Sequence, residues 1–311
     1  MKKIKINFKR LISVFKLALP FALIFAMIMT VAFYPHSEGQ SKGDEVKRVV
    51  RVWNVDTFEG GKGSRTSFLK RAAARVEKAN KHVYYLITSY TAEGVEHAFA
   101  QGEKPDILSF GIGVSAYLES SLPLPYTFSG GETESGCYAY PWCRGQYYLF
   151  SLTDNFEEEG TTAISAGGAN LVEVAAALES LSGDRIDSLS AYVAFLNGKY
   201  RYLLGTQRDV CRFVSRGVNV YQKPLNEFCD LYQYVSVLSA DKGDDCLAFV
   251  KELLSENTQK ELDSIGMLSV TSGGAMRTIS AFTDGEALNL VRDAARGDEP
   301  LKNLNKFLKN I

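Results

Sequence analysis

"RVWNVDTFEGGKGSRTSFLKRAAARVEK", Arg51–Lys78, changes its periodicity halfway along. With Val49 and Val50 ahead of it, the run VVRVWNV is β-branched and short, and reads as a buried strand. Beyond Gly60, Gly61 and Gly63, the residues Phe68, Leu69, Ala72, Ala73 and Val76 recur at steps of one, three and four. That spacing predicts a helix over about 64–80, with Lys70, Arg71, Arg75 and Glu77 on its opposite face. His82–Tyr90 reads as a second strand, Thr91–Gly102 as a second helix, and Pro105–Gly113 as a third strand running into glycines. Strand, helix, strand, helix, strand implies a parallel sheet with right-handed crossovers, because each helix must return the chain to the same edge.

In such sheets ligands sit beyond the carboxyl ends of the strands. Asp56–Gly63 and Gly111–Ser115 therefore belong at a binding rim. The lysine of EGGKGSR precedes the last glycine, so this is no phosphate-binding P-loop, and the glycine spacing also fails the dinucleotide pattern G-x-G-x-x-G. Two readings stay open: glycines that let backbone amides approach a solute at the helix start, or a tight turn needing positive φ. Nothing predicts catalysis or a cofactor. GIGVS (Gly111–Ser115) lacks a serine elbow, His82 and His97 fall within elements, and Glu157–Glu159 is a solvated charge run.

The whole chain has 311 residues, a net charge of −1 and 46% hydrophobic residues, enough for one large or two ordinary domains. Lys and Arg balance Asp and Glu along most of it, which argues against nucleic acid as a partner. The N-terminus is the exception. The first sixteen residues carry six positive side chains and no negative one, and Leu17–Phe33 follows with no charge. This reads as a membrane-directing segment over 1–34, either a signal peptide with a weak Thr30–Ala32 cleavage site or an uncleaved anchor helix. A polar linker over 35–47 comes next. The remainder is expected outside the cytoplasm, anchored to the cell membrane or secreted.

Export makes a Cys137–Cys143 disulfide chemically accessible, with free buried thiols as the alternative. No cysteine or histidine spacing suits a metal. Residues 120–150 are rich in proline and aromatic residues and read as a crossing segment. Tyr138, Tyr140, Trp142, Tyr147 and Tyr148 are there either to stack on a sugar or to fill a core. Helices are then expected over 170–182, 188–195, 206–217, 244–254, 256–264, 284–295 and 300–309, with strands over 199–205 and 231–239. No internal repeat is visible.

Taken in order, several patches resemble extracellular solute-binding proteins of ABC importers, in the sugar-type family 1 group. These are the opening stretch, GEKPDILSFGIG, the proline-tryptophan and glycine-tyrosine segment YAYPWCRGQYYLF, FLNGKYRYLLGT and SENTQKELDSIGMLSV, within about 48–275. Ser269 stands where the family has proline. The resemblance implies an α/β, two-lobed periplasmic-binding-protein-like fold of type II. Lobe 1 would comprise 48–118 and 234–311, and 119–233 would form the crossing segment and a reduced lobe 2, because TTAISAGGAN leads to a single alanine-rich helix. It also implies a small polar solute, most simply a carbohydrate, and an ABC permease as partner. Gly60, Gly61, Ser64, Arg65, Phe110, Gly111 and Gly113 would line one wall. Trp142 would stand at the hinge, with Arg208 and Asp209 facing from the other lobe. The rival expectation is a membrane-tethered, degenerate binding lobe serving as a sensor or assembly partner.

Overall fold

The computed structural model describes residues 47–114, 120–128, 130–167, 170–271 and 276–308. The predicted N-terminal signal or anchor lies outside them. No helix among the described residues is long and apolar enough to cross a membrane. In chain order the first elements are β1 (Arg48–Val55), α1 (Arg65–Ala79), β2 (Val83–Tyr90), α2 (Ala92–Ala100), β3 (Ile107–Phe110), β4 (Glu132–Thr133), β5 (Gly136–Cys137), β6 (Tyr140–Arg144), β7 (Tyr147–Ser151) and β8 (Thr162–Ala166). Then come α3 (Val172–Leu178), β9 (Asp184–Asp187), α4 (Ser188–Leu196), β10 (Tyr202–Thr206), α5 (Gln207–Ser215), β11 (Tyr221–Pro224) and β12 (Tyr232–Val237). The last are α6 (Gly243–Leu253), α7 (Glu256–Lys260), a 3-10 turn (Glu261–Ile265), α8 (Gly285–Arg296) and α9 (Pro300–Leu304).

Two five-stranded sheets share one plan. The first has the order β2-β1-β3-β12-β6, with β1 parallel to β2 and β3 and with β12 antiparallel to both β3 and β6. The second, read as β9-β8-β10-β7-β11, repeats this: β8 is parallel to β9 and β10, and β7 is antiparallel to β10 and β11. In both, three strands run parallel and the fourth runs backwards; helices follow β1 and β2 in the first sheet and β8, β9 and β10 in the second.

The opening stretch folds as its period requires. Val50, Val52 and Val55 of β1 are fully buried, and Phe68, Leu69 and Ala72 of α1 pack into the same lobe with Ala73. Each large side chain so buried contributes about 1.5–3 kcal/mol. Ser64 starts α1 by accepting a hydrogen bond from Ser67 N (3.2 Å). TTAISAGGAN, for which the sequence offers no assignment of its own, contains β8, an interior strand of the second sheet. The second sheet has five strands, like the first, and α3 has 7 residues.

Three chain segments cross between the sheets and are tied side by side. Arg144 and Leu268 exchange backbone hydrogen bonds (3.0 and 2.9 Å), Gly145 N donates to Leu231 O (2.5 Å), and Cys229 N donates to Arg277 O (3.0 Å). After the third crossing, α8 packs on α3 and α9. Residues 285–308 are thus associated with the second sheet, a correction to the assignment of 234–311 to lobe 1. The apolar face of α8 is what moves them: Leu288, Val291 and Ala295 share a core with Val172 and Ala176 of α3.

Two further expectations change. Cys143 has a free thiol, so it is not bridged to Cys137. Cys137 lies on the separate β4–β5 hairpin, and Cys143 is fully buried in β6, where desolvation pushes its thiol up to about 12. Trp142 is also fully buried. It stacks on Phe68 (ring centroids 5.7 Å apart) and donates from Nε1 to Ser109 Oγ (3.1 Å), which makes it a core residue.

Candidate functional site

The carboxyl ends of the parallel strands from both sheets meet at a cleft. One cavity of 410 Å³ is lined by Asp56, Thr57, Phe58 and Glu59 after β1, by Ala166, Gly167 and Asn170 after β8, and by Asp187 and Ser188 where β9 meets α4. A second, of 510 Å³, shares Asp56 and Thr57 and adds Ala92, Ile112 and Gly113 from the first sheet, with Leu288, Asn289 and Arg292 of α8. Arg292 donates to Asn170 O (3.5 Å), which ties α8 to the start of α3 beside the two cavities.

The first wall is held from behind. Arg65, at the first helical position of α1, has a side chain only 4% exposed, and it pairs with Asp56 Oδ1 (2.8 Å). It also donates to Phe58 O, and its guanidinium lies over the Phe58 ring, 4.3 Å from the centroid. Arg65 therefore shapes the loop and presents Asp56 and Phe58, and this reading replaces direct contact with a solute. Below it is a buried polar network. Asn54 donates to Asp56 Oδ1 (3.0 Å) and Thr66 Oγ1 (3.1 Å), Ser109 Oγ donates to Asn54 Oδ1 (2.9 Å), and Gln233 Nε2 donates to Val55 O (2.9 Å) and Ser109 Oγ (3.1 Å).

The glycines divide by role. A Cβ on Gly61 would collide with the backbone of Gly266, and Lys62 N donates to Ile265 O (2.9 Å). Gly61 thus serves close packing of two chain segments rather than solute approach. Gly60 has open space where a side chain would be. Gly111 lets Thr57 and the Tyr232 carbonyl come close, and Gly113, with φ +90°, lines the second cavity. Ser64 is the α1 cap, and Phe110 is a core residue against Tyr234 and Phe282.

From the second lobe, Arg208 forms an ion pair with Glu59, and Gln207 Nε2 donates to Glu59 O (3.2 Å). Arg208 therefore reaches the first lobe through this ion pair. Asp209 does not. It closes a capping box with Thr206 and pairs with Arg212 (3.0 Å), and burial raises its carboxyl above the usual range.

Asp56, Thr57, Phe58 and Glu59 lie in the segment placed at the rim but are not singled out within it, and Asn170, Asp187 and Ser188 are missed in the sequence. For Asp187 and Ser188 the signal in the sequence was the Asp-Ser pair that caps α4, and for Asn170 it was AGGAN, a glycine-bearing stretch between strand and helix like the first. Its loop is held from the crossing segment. Leu171 N donates to Asp230 Oδ2 (2.9 Å) and Tyr147 OH donates to Asp230 Oδ1 (2.6 Å). Burial raises the Asp230 carboxyl to about 6, against the lowering effect of those hydrogen bonds.

No family model matches the chain, and no curated protein matches it. Solved structures do. The sugar-binding protein MalE from Xanthomonas citri matches with a TM-score of 0.52 and 14% identity, over 71% of this chain and 79% of that one. The maltose-maltodextrin binding protein of Alicyclobacillus acidocaldarius gives 0.52 and 11%, over 82% and 98%. A structure described for xylan utilization by Caldanaerobius polysaccharolyticus gives 0.52 and 12%, over 82% and 98%. The chain has the two-lobed periplasmic-binding-protein-like fold.

Proposed function

We propose that this chain is an extracytoplasmic solute-binding protein that captures a small, uncharged polar solute, a carbohydrate, between its lobes and delivers it to an ABC permease. It performs no chemical step on the solute. The observation that carries this reading is the cleft itself, in which the carboxyl ends of two matched sheets face each other across a cavity and, among the described residues, the chain passes between the lobes in three adjacent crossing segments. Such crossings allow hinge closure around a ligand.

The lining supports an uncharged solute. A helix start attracts anions through its free amides, but here those amides are taken. Ser67 N is held by Ser64, Leu171 N by Asp230, Leu189 N and Ser190 N by Asp187, and Arg208 N by Thr206. The charged residues of the 410 Å³ cavity are Asp56, Glu59 and Asp187, all acidic. The amides of Leu189 and Ser190 and the Ser190 side chain lower the Asp187 carboxyl, so it is an acceptor at neutral pH. Carboxylates and Asn170 accept hydroxyl hydrogens, and Phe58 supplies an apolar ring for a sugar face.

Titration calorimetry against neutral mono- and oligosaccharides and matched sugar acids tests this. Saturable heat with a neutral sugar and none with its acid is expected. Tighter binding of the acid would contradict the lining argument, and no heat with any member would contradict solute capture.

A further inference from the structure

We propose that the second lobe carries a separate binding site for a small amphipathic anion, in the cavity between α3, the β8–β9 edge and the turn from α8 to α9. The cavity measures 730 Å³, larger than either cavity of the cleft, and shares no lining residue with them. That volume is within the range of small-molecule sites.

Its walls are built from small apolar residues. Ile164, Ala176 and Ala295 are buried, Ala177 and Leu181 are half-buried, and Leu301 stays 48% exposed at the mouth. Alanine at 176, 177 and 295 leaves space that a larger residue would fill. Beside them, two residues beyond the end of α3, Ser180 has a φ of 54°, in the left-handed region. This turn lets Leu181 N donate back to Ala176 O (2.8 Å) and folds the chain around the cavity.

The charges decide the ligand class. Glu173, with a side chain 2% exposed, is matched by Arg296 (2.7 Å), and Lys302 is matched by Glu299 (2.8 Å). Arg185 lines the same cavity and makes no ion pair among the described residues. Two pairs cancel and one guanidinium remains. A ligand with an apolar body on the alanine wall and a carboxylate on Arg185 satisfies both features, and the planar guanidinium suits a carboxylate.

The test uses the full-length chain and two probes with one tail and opposite charge, 4-phenylbutyrate and 4-phenylbutylamine. Calorimetry is expected to show saturable binding of the carboxylate and none of the amine. Arg185→Gln, at an exposed side chain, is expected to weaken carboxylate binding by at least about tenfold, as loss of a charge-assisted hydrogen bond implies. Ala177→Trp, checked for folding by its melting transition, is expected to abolish it by filling the cavity. Failure of the carboxylate to bind the unmodified chain, equal binding of the amine, or unchanged affinity in Arg185→Gln would each overturn the proposal. The last of these does not depend on whether Ala177→Trp folds.

Discussion

The two strand-to-helix loops at the mouth of the cleft occupy the same place in matched sheets and are secured in opposite ways. The loop after β1 is fixed chiefly within its own lobe, through Arg65 behind Asp56 and Phe58 and through Gly61 against Gly266, with Glu59 at its tip also reached by Arg208 and Gln207 of the second lobe. The loop after β8 has open space around Gly167, and α3 starts without a cap from its own N-cap side chain; Asp230, from a crossing segment, holds Leu171 N instead. One wall is therefore braced by its own lobe, and the other is coupled to the segments that cross between the sheets.

The largest expected effect separates the two glycines. Gly61→Ala should cost about 2–4 kcal/mol of stability, because its Cβ would meet rigid backbone. Gly167→Ala meets no atom and pays for its φ of +112°, about 1–2 kcal/mol, while placing a methyl group at the cleft. Thermal melts and calorimetry of both variants check this. A stable Gly61→Ala that loses solute binding would return Gly61 to the binding rim and break the comparison.

Next is the tie from hinge to wall. The folded Asp230 carboxyl, raised to about 6, lies above its unfolded value of about 3.9, so the native state holds the extra proton in that interval. The stability from this group is full below about pH 4 and is lost as pH rises through 6, on the order of 3 kcal/mol. Asp230→Asn should flatten the slope of stability between pH 4 and 6 in denaturant titrations. An unchanged slope would mean that Asp230 is not its source.

Arg208→Gln removes the interlobe ion pair with Glu59, whose side chains are 30% and 61% exposed. Solvent screening limits its effect on folding to under about 1 kcal/mol. Solute affinity should change with little change in melting temperature, and a larger loss in melting would make the pair part of the fold. Ser180→Gly should have the smallest effect, raising stability by up to about 1 kcal/mol as the left-handed strain is relieved, as read from the melting midpoint.

The difference between the two lobes also explains what the sequence discloses. β1 is a β-branched run followed by a 15-residue amphipathic helix, so both periods are visible. β8 is the five residues TAISA with small side chains, β9 is the polar edge DRID, and α3 has 7 residues, too few to display a period. The resemblance supplied the two-lobed architecture that these segments hide. At the cleft, the glycines of the first loop drew attention to its turn, while the residues that line the cavity are the Asp56–Glu59 segment just before it. Arg65, Trp142 and Asp209 have side chains suited to ligand contact, and only tertiary packing assigns them to loop support, core and helix cap.

The central claim is that a neutral sugar closes the two lobes on each other. Spin labels at exposed Lys70 of α1 and Leu189 of α4, in a Cys211→Ser background that removes the half-buried thiol, report that distance directly by pulsed electron resonance. The account predicts a broad distribution without solute that narrows and shifts to shorter distance when a sugar found by calorimetry is added. A distribution unchanged by a sugar that binds would contradict it.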